Sequence, residues 1–385
     1  MWSIRFVFAV AFVAVAGGFF ANNVSAETEE EVKQRVNGGA VTLITGGLEY
    51  ASNIYAALAR DMVAVLDEEN NLRVLPIMGH GSMRNIEDML YLRGVDVGMV
   101  HSDIMKHLEL EGKLVSARRR LRYITKLYDE PFHVIARKEI TDFADLKDRP
   151  VALGPIDSGS DLSGRTFLRV LNLEPQIVNV PWPEAVEQLK SGAVAAIIYP
   201  TRSRSKFIRK LSEDPSLKLL SLPEADKAVL ETYTPVSLTS EDYPGFIGKD
   251  ETRDTLQMSA ILTTFNWRAD GGVRYQRVTN FITKLFTKMD NLRAPSRHSV
   301  WRKLELADDV KGWERYAPAQ KLIDQAQKAT VAVGGPITTG VPSLEDFKRF
   351  MNYMRTEGGK PNASEQEFFD AYIKYQVWKG AQQQQ

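Results

Sequence analysis

The sequence predicts an α/β fold of two lobes, each a mostly parallel sheet flanked by helices, and three observations carry that prediction. From Val41 onward, short apolar runs of strand length alternate with stretches of helical periodicity. Glycine-bearing turns follow several of those runs. The whole pattern then starts again as a second block at Phe132. Strands separated by helices imply parallel pairing, with the turns at their carboxyl ends gathered on one edge, where open α/β sheets bind ligands. Two such blocks imply two lobes around a cleft.

The chain opens on a segment outside the fold. Arg5 is the only charge ahead of the apolar run Phe6 to Phe20, and Val24-Ser25-Ala26 follows. Small residues at the minus-three and minus-one positions mark residues 1–26 as a secretory signal cut after Ala26. The run is shorter than the ~20 residues a membrane span needs. The expectation is a periplasmic protein with no stable membrane insertion after cleavage.

The first block begins with the strand Val41 to Ile44, which leads into Thr45-Gly46-Gly47, and Ile54, Ala57, Leu58, Met62 and Val65 then recur at helical spacing. Leu72 to Ile77 alternates as a second strand, Met83 to Arg93 is helical, and Val95 to Val100 is a third strand that delivers His101, Ser102 and Asp103. In the second block Phe132 to Arg137 is a strand, Thr141 to Leu146 a helical turn, and Pro150 to Gly154 a strand ending in a turn with Ser158-Gly159-Ser160. A helix carrying Arg165, Phe167, Leu168 and Leu171 follows, then strand Ile177 to Val180, helix Pro183 to Lys190 and strand Val194 to Tyr199. Leu256 to Thr264 reads as a strand returning the chain to the first lobe. Helices are expected at Tyr275 to Met289, Ser299 to Leu306, Ala317 to Lys328, Leu344 to Arg355 and Glu365 to Trp378, with Ser343 as an N-cap for the fourth.

Composition narrows the function. No cysteine occurs in 385 residues, which removes disulfides, thiolate metal sites and a cysteine nucleophile. With 44% hydrophobic residues the fold rests on its core. The 49 basic and 49 acidic residues balance, so neither nucleic acid nor an anionic membrane is indicated as a partner. Arg118, Arg119, Arg120 and Arg122 form the one basic cluster, read as a solvated helix face. The five histidines are scattered, and no metal site or cofactor is expected; His101 and His107, six apart, do not share a helical face. The G-x-S-x-G nucleophile pattern is absent around Ser158.

What remains is a binding-site layout. Backbone N–H groups at helix N-termini supply preset donors and a favourable dipole for a carboxylate, and the turns at Gly46 to Asn53, Gly81 to Asn85 and Ser158 to Ser160 each precede a helix. The candidate ligand residues are Gly47, Glu49, Tyr50, Ser52, Asn53, Ser82, Asn85, Ser102, Asp103, Tyr128, Ser158, Gly159, Ser160 and Arg202. Tyr50, Tyr55 or Tyr128 would wall an apolar part of the solute. Each has a plainer reading. Ser82 and Ser158 serve as helix caps as readily as ligand contacts, Asp103 reads as an N-cap ahead of a contact, His101 as a packed side chain, and Glu49 and Arg202 as loop charges.

The chain resembles the TAXI family of extracytoplasmic solute receptors associated with TRAP transporters. Gly81-Ser82, Asn85, Gly94, Asp96 and Ser102-Asp103 follow the family's G-S-x-x-N, G-x-x-D and S-D pattern, and Asp145 to Gly159 follows D-L-K-x-x-x-V-A-x-G-P-x-x-S-G. The likeness runs from about Val41 to Thr264. It implies a type II periplasmic-binding-protein fold, with lobe 1 from 27–131 plus 262–342, lobe 2 from 132–261, and residues 343–385 as an added helical extension with a disordered tail. It also implies capture of a small anionic or zwitterionic solute, an organic acid or amino acid, for delivery to TRAP membrane subunits, and no enzymatic activity. The family's G-x-x-D-A strand is replaced by Gly192-Ala193-Val194-Ala195-Ala196, and Arg202 and Arg204 stand in the turn beyond. Loss of an acid and gain of two guanidinium groups favour an anionic solute. The alternatives are a ligand-dependent signalling or scaffold protein of the same fold and a periplasmic hydrolase.

Overall fold

A computed structural model describes residues 28–29, 31–32, 39–46, 54–68 and 71–331. The expected signal segment, the candidate residues Gly47, Glu49, Tyr50, Ser52 and Asn53, and the expected C-terminal extension lie outside the described residues.

The first lobe starts with β1 (Ala40–Ile44), α1 (Ile54–Leu66), β2 (Arg73–Ile77), α2 (Ser82–Tyr91), β3 (Val97–His101) and α3 (Ile104–Leu110). β1 pairs in parallel with both β2 and β3, as alternating strands and helices require. Leu58, Ala59, Met62 and Leu66 put one face of α1 into the core. A four-residue helix, α4 (Ala117–Arg120), then leads into β4 (Leu121–Arg137), a strand of 17 residues.

The second lobe is built from the far half of β4, β5 (Pro150–Ala152), α5 (Gly159–Val170), β6 (Gln176–Val178), α6 (Trp182–Ser191), β7 (Ala196–Pro200), α7 (Lys206–Leu211), β8 (Leu217–Leu219), α8 (Lys227–Leu230) and β9 (Thr234–Thr239). The chain returns through β10 (Thr252–Phe265), and α9 (Gly272–Thr287), α10 (Met289–Leu292) and α11 (Ala317–Val331) complete the first lobe. The strand order is β2-β1-β3-β10-β4-β7-β5-β6. β10 lies antiparallel between β3 and β4, and β4 is antiparallel to β7. Thus β4 pairs with β10 through Pro131 and with β7 from Phe132, and these two long strands carry the chain from lobe to lobe.

Each lobe has its own core. Leu58, Met62, Phe281, Trp301 and Tyr316 pack in the first, and in the second Phe132 stacks on Phe167 at 4.1 Å with Tyr233 edge-on. A third cluster holds Ile44, Ile86, Val100 and Ile104 of the first lobe and Ile261 of the connecting strand β10 together with Leu162 from α5 of the second.

Three sequence expectations are corrected. The strand expected to begin at Phe132 starts at Leu121, because Arg122 and Lys126 break the apolar pattern yet are paired, with Glu314 at 2.6 Å and Asp308 at 2.7 Å. The arginine cluster is not one solvated helix face: Arg122 is in β4, and Arg120 donates to the Leu90 carbonyl and stacks over Tyr91 and Phe265. Ser299 to Leu306 is a 3-10 turn over Ser299–Lys303 rather than a longer helix.

Candidate functional site: the seam between the lobes

The N-termini of α2 and α5 face one another where the lobes meet. Gly81 has φ 111°, and a Cβ there would stand 3.1 Å from the Asp157 carbonyl oxygen. A Cβ on Gly159 would stand 2.7 Å from His101 Cε1. Only glycine permits both close approaches, and at Gly81 the backbone conformation requires it as well.

Buried polar side chains line the seam behind these turns. Ser163, on the second turn of α5, donates to Asp103 Oδ1 at 3.0 Å, and Tyr233 donates to Asp103 Oδ2 at 3.1 Å. His101 Nδ1 lies 3.0 Å from Ser163 Oγ. Since the Ser163 proton goes to Asp103, the imidazole Nδ1–H is the donor in that contact. His101 Nε2 lies 3.0 Å from Glu130 Oε2. Burial by itself lowers the His101 pKa, but the carboxylates of Glu130 and Asp103 outweigh it and the net shift is upward. Burial pushes the Asp103 carboxyl up, opposed by His101, Ser163 and Tyr233. Both shifts favour the protonated forms.

Aromatic side chains close the site. Tyr55 meets the His101 ring at 6.4 Å and the Tyr128 ring at 6.3 Å, edge-on in each case. The Arg202 guanidinium lies 5.8 Å from the Tyr128 ring centroid, in cation–π range. Burial, reinforced by Glu130, raises both phenol pKa values well above the usual range. Arg202 also reaches the first lobe electrostatically, since burial and then this guanidinium pull the His298 pKa down.

Further bonds tie the lobes along the same seam. His107 Nδ1 lies 3.1 Å from Thr166 Oγ1, and Arg169 pairs with Glu111 at 2.5 Å and donates to the Leu110 carbonyl. On the other side, Lys311 donates to the carbonyls of Leu230 and Tyr233, and beside it, within the first lobe, the Trp313 indole donates to the Ser102 carbonyl.

The candidate residues within the described chain have distinct roles in this arrangement. Ser82 is the first residue of α2, and its hydroxyl accepts from the His101 amide instead of capping the helix. Asn85 is fully buried and donates to the Thr45 and Met99 carbonyls, which clamps β1 to β3. Ser102 accepts from the Ser259 amide at 3.0 Å. Asp103 makes no cap bond, contrary to the N-cap reading, because its oxygens turn into the seam. Ser158 caps α5 by accepting from the Asp161 amide. Gly159 and Ser160, in the first turn of α5, are half-buried. Tyr128 and Arg202 stand together as described. Arg204 is directed elsewhere, paired with Glu241 at 2.8 Å and Asp242 at 3.4 Å.

Sequence reasoning did not single out Glu130, Ser163 or Tyr233. The available signal for Glu130 was an acid between Tyr128 and the apolar run that begins at Phe132. An apolar groove of about 330 Å³ also runs along the first lobe, lined by Thr45, Ala56, Val63, Pro76, Ile77 and Met78 among others.

A family model described as the NMT1-like family matches residues 44–293. No curated protein sequence matches the chain. Among solved structures, the chain is similar to an amino acid ABC transporter substrate-binding protein from Streptococcus pneumoniae bound to L-arginine, at 12% identity over 71% of this chain and 98% of that one, with a TM-score of 0.39. It is similar to the putative periplasmic sulfonate-binding protein SsuA from Methylobacillus flagellatus, at 14% identity over 76% and 86%, TM-score 0.40. A third similar structure is the GluR0 ligand-binding core from Nostoc punctiforme with L-glutamate, at 12% identity over 69% and 95%, TM-score 0.39. No helix among the described residues is long and apolar enough to cross a membrane.

Proposed function

The chain belongs to the NMT1-like family, and from that premise we propose that it is an extracytoplasmic solute receptor, exported through residues 1–26, that captures a small organic acid or amino acid between its lobes. The observation that carries this reading is the meeting of two helix N-termini, one from each lobe, over a buried polar seam. Such termini offer preset N–H donors and a favourable dipole to a carboxylate. Arg202, held over Tyr128, adds a planar guanidinium for the same group.

The proposed contact set is Ser82, Ser102, Asp103, Tyr128, Ser158, Gly159, Ser160 and Arg202, with Gly47, Glu49, Tyr50, Ser52 and Asn53 from the sequence that follows β1. Asn85 contributes by fixing the strand ends that carry these turns. Bending of β4 and β10, the long strands common to both lobes, would open the seam, and closure would exclude water and strengthen the polar contacts. Delivery to TRAP membrane subunits completes the proposal, with lobe 1 spanning 27–131 and 262–342, lobe 2 spanning 132–261, and residues 343–385 as an addition to the two lobes.

Mass spectrometry of the solute that co-purifies with the exported protein identifies the cargo, and calorimetry with that compound follows. Binding without chemical change of the solute supports a receptor; its consumption refutes one. Arg202→Ala is expected to weaken an anionic solute by about 2–5 kcal/mol as a charge-paired contact enclosed on closure. Unchanged affinity removes Arg202 from the site.

A further inference from the structure

The receptor reading leaves two solute chemistries, a plain acid and an acid that also bears an amine. Two polar atoms at the seam bear on that choice. The Tyr55 hydroxyl and Glu130 Oε2 are both buried and have no hydrogen-bond partner among the described residues. The Glu130 side chain is only 9% exposed. Its Oε2 lies 3.0 Å from His101 Nε2 as an ion pair that does not meet hydrogen-bond geometry, and the carboxylate has further lone pairs with which to accept from a second donor.

The groups that interact electrostatically with Glu130 are His101 and Asp103 at the end of β3, Tyr55 from α1, and Tyr128 from β4 itself. Two of the four are hydroxyls, one is a second carboxyl, and the single cationic group is His101. Of the donors close by, Ser163 and Tyr233 bond Asp103, the His101 amide bonds Ser82, and the Tyr128 hydroxyl reaches Glu130. A carboxylate placed here would face two carboxyl groups, whereas an ammonium would give Glu130 Oε2 a well-aligned donor and the Tyr55 hydroxyl a partner.

We propose that Glu130 Oε2 and the Tyr55 hydroxyl form an ammonium subsite, so that the solute is an amino acid or another small acid bearing a protonated amine. The inference rests on the receptor reading and narrows it. The ammonium sits between α1 and β4, and the carboxylate turns toward Arg202 and the first turns of α2 and α5. Glu130 then sets specificity, because an analogue without the amine leaves a buried carboxylate oxygen unpaired.

The test uses the mature full-length chain and two matched panels, the common L-amino acids and their 2-oxo acid counterparts, read by melting temperature and calorimetry. One or more amino acids are expected to bind, with the matching 2-oxo acids weaker by about 100-fold or more. Glu130→Gln is expected to weaken the amino acid about 30-fold or more and to bring the two panels within a few-fold of each other. Tyr55→Phe loses affinity by a smaller factor in the same direction. The wild-type comparison of panels stands even where a variant fails to fold. Oxo acids binding as tightly as amino acids, or Glu130→Gln leaving the ratio unchanged, would overturn the ammonium subsite while leaving the receptor intact. Failure of both panels to bind would count against the receptor reading and the subsite together, and so would turnover of a ligand.

Discussion

Ser163→Ala isolates the energetics of closure. One hydroxyl on α5 of the second lobe bonds both Asp103 Oδ1 and His101 Nδ1 of the first, each at 3.0 Å. Asp103 is 2% exposed, so water cannot replace the lost donor while the lobes remain shut. Leaving such a group unpaired costs about 1–3 kcal/mol. The penalty falls on the closed state, because in an opened seam both partners meet solvent. Binding requires closure, so the apparent solute affinity should fall by about 5- to 150-fold. The apparent melting temperature of the unliganded protein should fall by roughly 2–12 °C, from about 2–4 °C per kcal/mol for a chain of this order of size. Calorimetry with the co-purifying solute and a thermal melt give the two readouts. Ser191→Ala is the control, since that hydroxyl bonds only the Gln188 carbonyl at the far end of α6. Affinity within twofold of the wild type, with an unchanged melt, would refute the view that the Ser163 bridge holds the seam.

Two further predictions concern stability against pH. Glu68 lies between Lys284 at 2.9 Å and Lys288 at 2.5 Å; burial opposes its ionisation, but the two ammonium groups prevail and hold its pKa at about 2. A folded pKa below the unfolded value of 4.5 contributes stability above that value, lost as pH falls toward 2. Glu68→Gln should therefore cost about 1 kcal/mol at pH 7 in a urea titration, since solvent screens this partly exposed pair, with the difference from wild type shrinking below pH 4.5; a difference independent of pH would refute this pairing. His133 is buried with its pKa lowered to about 4, its Nδ1 near the Tyr199 carbonyl and its Nε2 2.8 Å from the Tyr243 hydroxyl. The neutral ring must gain a proton on unfolding in acid, so stability should drop between about pH 6.5 and 4. His133→Gln should flatten that part of the profile, measured by denaturant titration at stepped pH, and an unaltered slope would remove His133 as its source.

The parts of the fold legible in the sequence are those whose signal is local. β1, α1, β2, α2 and β3 follow the expected order within a few residues, because their apolar periodicity and turn glycines lie inside each segment. β9 and α8 escaped notice because Pro235, Ser237 and the charged residues around them carry no alternation; β9 is held by pairing to β10 rather than by its own pattern. The site divides the same way. The turns at Gly81 and Ser158 are announced by glycine beside serine, and both stand at the seam. Ser163 is invisible because a serine on the second turn of a helix has many ordinary uses. Tyr233 meets Asp103 across 130 residues of chain, a contact no sequence window contains. Asp103 illustrates the competing principle: its position after a strand and before a helix suggested capping, but burial against Ser163 and Tyr233 drew the carboxyl inward.

That the seam is polar follows from what a reversible closure needs. Had α5 docked on α3 through apolar surface alone, each buried Leu-sized side chain would add about 1.5–3 kcal/mol that water gives no help in recovering, and the lobes would behave as one core. Leu162 is the apolar contribution from α5 to the first lobe's cluster. Among the other contacts that α5 makes across the seam, those at Ser163, Thr166 and Arg169 are hydrogen bonds and an ion pair. Opening exchanges those for bonds to water, so each contributes only about 0.5–1.5 kcal/mol net. Closure held by such terms is worth a few kcal/mol, the range in which the differential contacts of a bound solute decide the population. A seam of this composition can therefore be shut by a ligand and opened again, whereas the continuous strands β4 and β10 keep the lobes in register throughout.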